Sequence, residues 1–154
     1  MDHHVIAVDL YGMGFSERSA DFTYGFALWS QQLGSVLNAL GIQRASVVGH
    51  SLGGTVGIFF AANHPDRVDR VVLAASAISF PWSFPLLMVP GPGELFLASQ
   101  EVFGPTSSPE HRAQAIAAYR IHGTRVAVLR YVRHSLLEAR GLSPAVAAVR
   151  AKVL

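Results

Sequence analysis

The chain has 154 residues, 51% of them apolar and 14% charged, with a formal net charge of +2 and no cysteine. That composition describes one globular domain with ample core, and it excludes intrinsic disorder, disulfides and thiolate metal sites. The basic excess is local, eight Arg and Lys against three acids from Glu101 onward, and it spreads along helices without a run of like charge, as solvated helix faces rather than a nucleic-acid surface would.

In chain order, the start (Met1 to Asp9) lacks a basic region followed by a long apolar stretch, so no signal peptide is expected. Val5 to Val8 is a short apolar, β-branched run and predicts a strand buried on both faces. A glycine-rich turn follows, Asp9-Leu10-Tyr11-Gly12-Met13-Gly14-Phe15-Ser16. Phe26, Trp29, Leu33, Val36, Leu37 and Leu40 recur at helical spacing before Gly41, which predicts a helix over residues 24–40. Ala45 to Val48 predicts a second strand, and Leu52 to Asn63 a helix closed at His64-Pro65. Val68 to Ala75 predicts a third strand. Strands alternating with helices imply an α/β sheet of three parallel strands with flanking helices.

After Ser76 the pattern changes. Residues 77–105 are rich in proline, glycine and aromatics and show no clear period. Pro81, Pro85, Pro90, Pro92 and Glu94 interrupt the most apolar stretch, so a membrane-spanning helix is not expected, and the default location is the cytoplasm. Ser107-Ser108-Pro109-Glu110 carries a capping box and a first-turn proline, predicting a helix to about His122. Gly123 ends that helix, and Thr124 opens a second running to about Arg140. Gly141 ends the second, and Ser143-Pro144 opens a third that runs into the chain end. The expected division is an α/β part over residues 1–76 and a helical part over residues 77–154.

Gly49-His50-Ser51-Leu52-Gly53 sits between a predicted strand and a predicted helix. A serine hydroxyl is a poor nucleophile at neutral pH and must be exposed, aimed and given a base. A sharp strand-to-helix turn does the aiming, flanking glycines keep side chains out of it, and the helix start directs amides toward a developing oxyanion. By itself the five-residue pattern arises by chance in roughly one chain of this size in ten or twenty. The strand before it and the helix after it are what make it specific. Gly12-Met13-Gly14 follows a strand as a dinucleotide-binding loop would, but Glu17 stands where that motif needs its third glycine. The seven histidines place no ligand pair on one helix face, so no metal site is expected.

Gly49-His50-Ser51-Leu52-Gly53-Gly54 resembles the nucleophile elbow of the α/β-hydrolase fold superfamily. Asp9 to Ser16 is similar to the family's D-x-x-G-x-G-x-S turn, with Asp9, Gly12 and Gly14 at its fixed positions. His64-Pro65-Asp66-Arg67-Val68 resembles the family's approach to the next strand. The resemblance implies a serine hydrolase with Ser51 as nucleophile and the Leu52 amide in the oxyanion hole. Gly49 and Gly53 shape the turn, no cofactor is needed, and the default substrate is a small apolar carboxylic ester. It also implies a helical cap after Ser76, in which Trp82, Phe84, Leu86, Leu87, Met88 and Phe96 form either cap core or an apolar pocket. A serine at position 51 argues against the epoxide hydrolase and dehalogenase branches, which place aspartate there. The family's triad continues with an acid and then a histidine after later strands, and this sequence shows neither, since Ala74 to Ser79 holds no carboxylate, His50 lies on the strand side of the turn with its ring aimed elsewhere, and His122 and His134 read as surface residues on cap helices. The chain is therefore expected to be an internal piece of such an enzyme, with a non-catalytic remnant or binding module as the alternative. In the family's strand order another strand lies between the two that flank residues 11–40. These two must pair directly, leave a slot, or borrow a strand, and any exposed apolar edge predicts poor folding and aggregation.

Overall fold

The computed structural model describes residues 3–76, 108–138 and 142–154. Helix α1 is Phe26–Ala39, strand β1 is Ala45–His50 and helix α2 is Leu52–Asn63. A 3-10 turn, Pro65–Arg67, leads into strand β2, Val68–Ala74. Helices α3 (Pro109–Arg120), α4 (Thr124–Glu138) and α5 (Leu142–Ala148) follow, and Lys152–Val153 forms strand β3.

The three strands run parallel in the order β1-β2-β3. The α/β class with three parallel strands and flanking helices therefore holds, but the set of strands differs from the expected one. Val5 to Val8 is not a strand, and Val5 is 82% exposed. A strand exists only through its ladder, and this run has no backbone partner among the described residues. Between it and β1 lies a cleft of about 330 Å³, walled by His4, Ile6 and Val8 on one side and by Ala45, Val47 and Val48 on the other. Leu33, Val56 and Phe60 also line it. Of the three outcomes open to these two segments, the chain adopts the slot. A second correction concerns the chain end, expected to be helical. Helix α5 stops at Ala148, and Lys152 and Val153 pair with Arg70 and Val71. The Leu73 amide donates to the Leu154 carbonyl and the Leu154 amide to the Val71 carbonyl, both at 2.9 Å. The open edge of β2 presents backbone groups that need partners, and this outweighs the helical tendency of the last residues.

Two apolar clusters hold the elements together. Leu37 of α1, Phe60 and Ala61 of α2, and Val68 and Val71 of β2 form the first. The second joins Tyr24, Phe26, Trp29 and Val56 to Ala127, Tyr131 and Val132 of α4. Trp29 and Tyr131 lie with ring centroids 4.8 Å apart, and Phe26 stacks on Phe59 at 4.7 Å. Full burial of such side chains contributes about 1.5–3 kcal/mol each, so the α4 contact is a main tie between the two halves. Helix α2 packs close to the sheet because Gly57 lacks a side chain: a Cβ there would lie 3.0 Å from Val47 Cγ1.

Polar ties supplement the core. Arg67, in the segment after α2, donates to the carbonyls of Gln43 (2.7 Å) and Ile42 (2.9 Å) and to Asn38 Oδ1 (2.9 Å). One guanidinium thus satisfies acceptors in the turn after α1, where helical carbonyls run out of partners. The start of α1 is satisfied from far away. Gly25 precedes the helix and has no side chain to cap it. Glu138, at the end of α4, accepts from the amides of Phe26 (2.7 Å) and Ala27 (3.3 Å). A Cβ on Gly25 would lie 2.7 Å from His134 Cδ2, so the position that would ordinarily carry a capping serine must be glycine for α4 to dock.

Two outcomes follow from these contacts. Glu138→Ala removes an anion from a helix N-terminus and should cost about 1–2 kcal/mol in urea unfolding, with Glu138→Gln losing less. Val48, 74% exposed on the open edge of β1, should drive self-association; Val48→Lys should reduce light scattering on concentration without lowering the thermal midpoint.

Candidate active site

Strand β1 ends at His50 and α2 begins at Leu52, so Ser51 alone makes the turn, at φ 50° and ψ −118°. A residue with a Cβ costs on the order of 1–3 kcal/mol in this region and stays there only when its surroundings enforce it. The enforcing contacts are backbone ones. The Ser51 amide donates to the carbonyl of Ala74 at the end of β2 (2.9 Å), and its own carbonyl accepts from Gly54 (3.1 Å) and Thr55 (3.4 Å). Ala75, at φ 46°, is the other non-glycine residue with positive φ among the described residues. Both strained residues therefore sit at the adjoining C-terminal ends of two parallel strands, where open α/β sheets form their ligand crevices. The half-exposed Ser51 stands at the start of α2, whose first amides, Leu52 among them, have no partner within the helix.

The glycines around the serine are not equivalent. A Cβ on Gly49 would overlap the backbone of Gly53 and Gly54, so β1 and α2 can meet only with glycine there. On Gly53 a Cβ would meet nothing among the described residues. On Gly54 it would overlap the hydroxyl of Ser76, just beyond Ala75. The crowding expected at Gly53 falls at Gly54 instead. The Ser76 Oγ is itself buried and has no hydrogen-bond partner among the described residues.

The turn at Asp9 to Ser16 packs nearby and is internally closed. Asp9 Oδ2 accepts from the Phe15 amide (2.9 Å), and the Ser16 hydroxyl donates to the Asp9 carbonyl (2.6 Å). Gly12 and Gly14 adopt φ of 89° and 52°. A Cβ on Gly14 would overlap the Asp9 carboxylate, and one on Gly12 would lie 2.7 Å from Ala127 Cβ. The Asp9 carboxylate is thus engaged inside its own turn. Gln32 and Arg18, which the sequence patterns do not single out, hold the turn in place together with Trp29. Buried Gln32 donates to the Asp9 carbonyl (3.0 Å) and accepts from the Tyr11 amide (2.9 Å), acting as a one-residue substitute for a neighbouring strand. The Trp29 indole donates to the Tyr11 carbonyl (2.9 Å). Arg18 reaches the other way: its Nε donates to Thr124 Oγ1 (2.8 Å) and its other nitrogens to the carbonyls of Ser16 and Gly14. Tyr24 beneath the turn donates to the Ser19 carbonyl (2.9 Å), and burial raises its pKa above the ordinary tyrosine value. A polar residue on an otherwise apolar helix face was the available signal for Gln32. Arg18 carried none.

Among the described residues no hydrogen bond joins a histidine to Ser51. His3, His4, His50 and His122 are exposed, His64 packs on Phe60 with ring centroids 4.9 Å apart, and His134 faces Glu138 at 3.6 Å. No cluster of metal-ligating side chains occurs among the described residues, and no helix among them is long and apolar enough to cross a membrane. Trp82, Phe84, Leu86, Leu87, Met88 and Phe96, the expected cap or pocket residues, lie outside the described residues.

The chain is similar to known proteins in sequence and fold. The family model for the alpha/beta hydrolase fold matches residues 2–121. A 2-hydroxymuconate semialdehyde hydrolase of Pseudomonas putida is 49% identical over 78 residues, which is 50% of this chain and 28% of that protein. A 2-hydroxy-6-oxo-2,4-heptadienoate hydrolase, also of Pseudomonas putida, is 42% identical over 77 residues, 49% of this chain and 28% of that one. These matches therefore span little more than a quarter of either relative. Among solved structures, Cfl2 from Burkholderia cenocepacia superposes with a TM-score of 0.78 at 20% identity, covering 94% of this chain and 59% of that one, a likeness of fold.

The inequality of the glycines is measurable. Gly49→Ala and Gly54→Ala should each cost about 1–3 kcal/mol in denaturant unfolding, from forced overlap. Gly53→Ala, in the first turn of α2, should be neutral or stabilising by up to about 1 kcal/mol.

Proposed function

Since the chain belongs to the α/β-hydrolase fold family, we propose that Ser51 is the nucleophile of a hydrolase acting on a small-molecule carbonyl substrate. The observation that carries this reading is the conformation of Ser51, a left-handed serine held by the Ala74 carbonyl between the end of β1 and the start of α2. Functional sites are where such strain is retained. In the reaction, Ser51 Oγ attacks the carbonyl carbon while an external histidine, not one of the seven in this sequence, takes its proton. The resulting oxyanion is held by amides including that of Leu52. The leaving group departs with a proton returned by the same histidine, and water then cleaves the acyl-serine. No cofactor takes part in this scheme.

A carboxylic ester is the broad substrate class for such a nucleophile. The two Pseudomonas relatives favour a narrower one, because both are named for oxo-dienoic acids or their semialdehydes. Such a substrate has no ester bond, so its hydrolysis breaks a carbon–carbon bond next to the aldehyde or ketone carbonyl, with the dienol fragment as leaving group. The match to these relatives covers about half of this chain at 42–49% identity, which supports the narrower class over a simple ester. The helical part after Ser76 is proposed to form the cap over the site, apart from Lys152–Val153, which pair with β2.

The test compares turnover of p-nitrophenyl acetate and of 2-hydroxy-6-oxo-2,4-heptadienoate. Ser51→Ala should lower kcat by a factor of about 10³ or more for whichever substrate is used. Equal turnover by Ser51→Ala, or none by the unmodified protein, would leave the alternative of a non-catalytic scaffold. Preference for the oxo-dienoate over the ester decides the substrate class.

A further inference from the structure

We infer that Ser76 is a positioning residue for the Ser51 nucleophile, its hydroxyl setting how closely the first turn of α2 approaches the end of β2. The inference rests on the role proposed for Ser51. The path to Ser76 is unusual at each step. Ala74 ends β2 and gives its carbonyl to the Ser51 amide. Ala75 then takes a left-handed conformation, φ 46°, which turns the chain back under α2. Ser76 follows, with its Oγ occupying the space that a side chain on Gly54 would fill. The turn after Ser51 is consequently pinned to one strand end at two points, by the Ser51–Ala74 hydrogen bond and by the Gly54–Ser76 contact. Leu52 and Gly53 lie between those points and carry the first amides of α2.

The chemistry of that second contact points to a role beyond packing. A buried hydroxyl without a partner destabilises the fold, and an alanine would remove both that cost and the oxygen that holds Gly54 off. Helix α2 could then settle toward β2, because Gly54 offers no Cβ to stop it. Ser51 Oγ and the Leu52 amide would move together, and displacement of a nucleophile by a fraction of an ångström lowers its reactivity far more than it lowers stability. Ser76 is not proposed to touch substrate. It acts through the elbow.

The experiment is covalent labelling of the unmodified chain, Ser51→Ala, Ser76→Ala and Ser76→Thr by an alkyl fluorophosphonate. Ser51 Oγ attacks phosphorus, fluoride leaves, and the proton passes to solvent. Mass spectrometry identifies the labelled residue, rates at several probe concentrations separate the maximal rate from the half-saturating concentration, and thermal unfolding is recorded alongside. Ser76→Ala should lower the maximal rate roughly tenfold, leave the half-saturating concentration unchanged, and melt at or above the original midpoint. Ser76→Thr, which keeps the hydroxyl, should restore the rate to within about twofold. A purely structural residue would change the midpoint without that split or that rescue. An unchanged rate in Ser76→Ala, or a rate loss matched by a fall in midpoint and not rescued by threonine, overturns the inference while leaving Ser51 as nucleophile. Absence of Ser51 labelling in the unmodified chain overturns the proposed function, and this inference with it.

Discussion

A serine held in the left-handed region at the end of a strand is the constraint on which the rest of this structure turns. Ser51 at φ 50° is intrinsically unfavourable, and a single backbone hydrogen bond to Ala74 ties it to the neighbouring strand. That bond requires β1 and β2 to run parallel and in register, which in turn requires α2 to cross back between them. The crossing is close enough that Gly49, Gly54 and Gly57 cannot carry side chains without overlap or tight contact. Removing the strain would be simple in sequence terms, since glycine at position 51 would relieve it. Keeping a hydroxyl there instead is the reason for reading the turn as chemical.

The second organising feature is that the helical half of the chain supplies contacts the α/β half lacks. Glu138 caps a helix whose own preceding residue is glycine, and Arg18 joins the Asp9–Ser16 turn to the first residue of α4. Ala127, Tyr131 and Val132 complete a core begun by Tyr24, Phe26 and Trp29. Gln32 performs a related service within the first half, pairing with the backbone of Asp9 and Tyr11 where no strand does. Glu138, Arg18 and Gln32 are each buried or half-buried polar groups whose partners are distant in sequence. Such pairs are costly to leave unmade, so they couple the position of α4 to the shape of the turn beside the serine.

Much of this was legible in the residues. The periodic run from Phe26, the breaks at Gly41 and His64-Pro65, and the apolar run from Val68 place α1, α2 and β2 within a residue or two of where they are found. Those signals are local, and local physics produces them. Val5 to Val8 shows the limit. Its composition is that of a strand, yet it has no ladder, because pairing depends on a neighbour that composition does not report. Lys152 and Val153 show the converse, two unremarkable residues recruited into the sheet by an open edge of β2. Gly53 and Gly54 make the same point at the site. The motif names the first as essential, whereas the packing places the crowding at the second, because Ser76 arrives there from the other strand.

What the sequence determined by itself was the class of fold, the order of its elements and the serine between a strand and a helix, since hydrophobic period and turn chemistry act over a few residues. Tertiary structure alone decided which segments pair, which glycine is indispensable, and how a glutamate at position 138 comes to cap a helix starting at position 26. Those outcomes depend on contacts between residues far apart in the chain. Their energies come from filling a shared space and satisfying buried backbone groups, and no window of neighbouring residues contains either quantity.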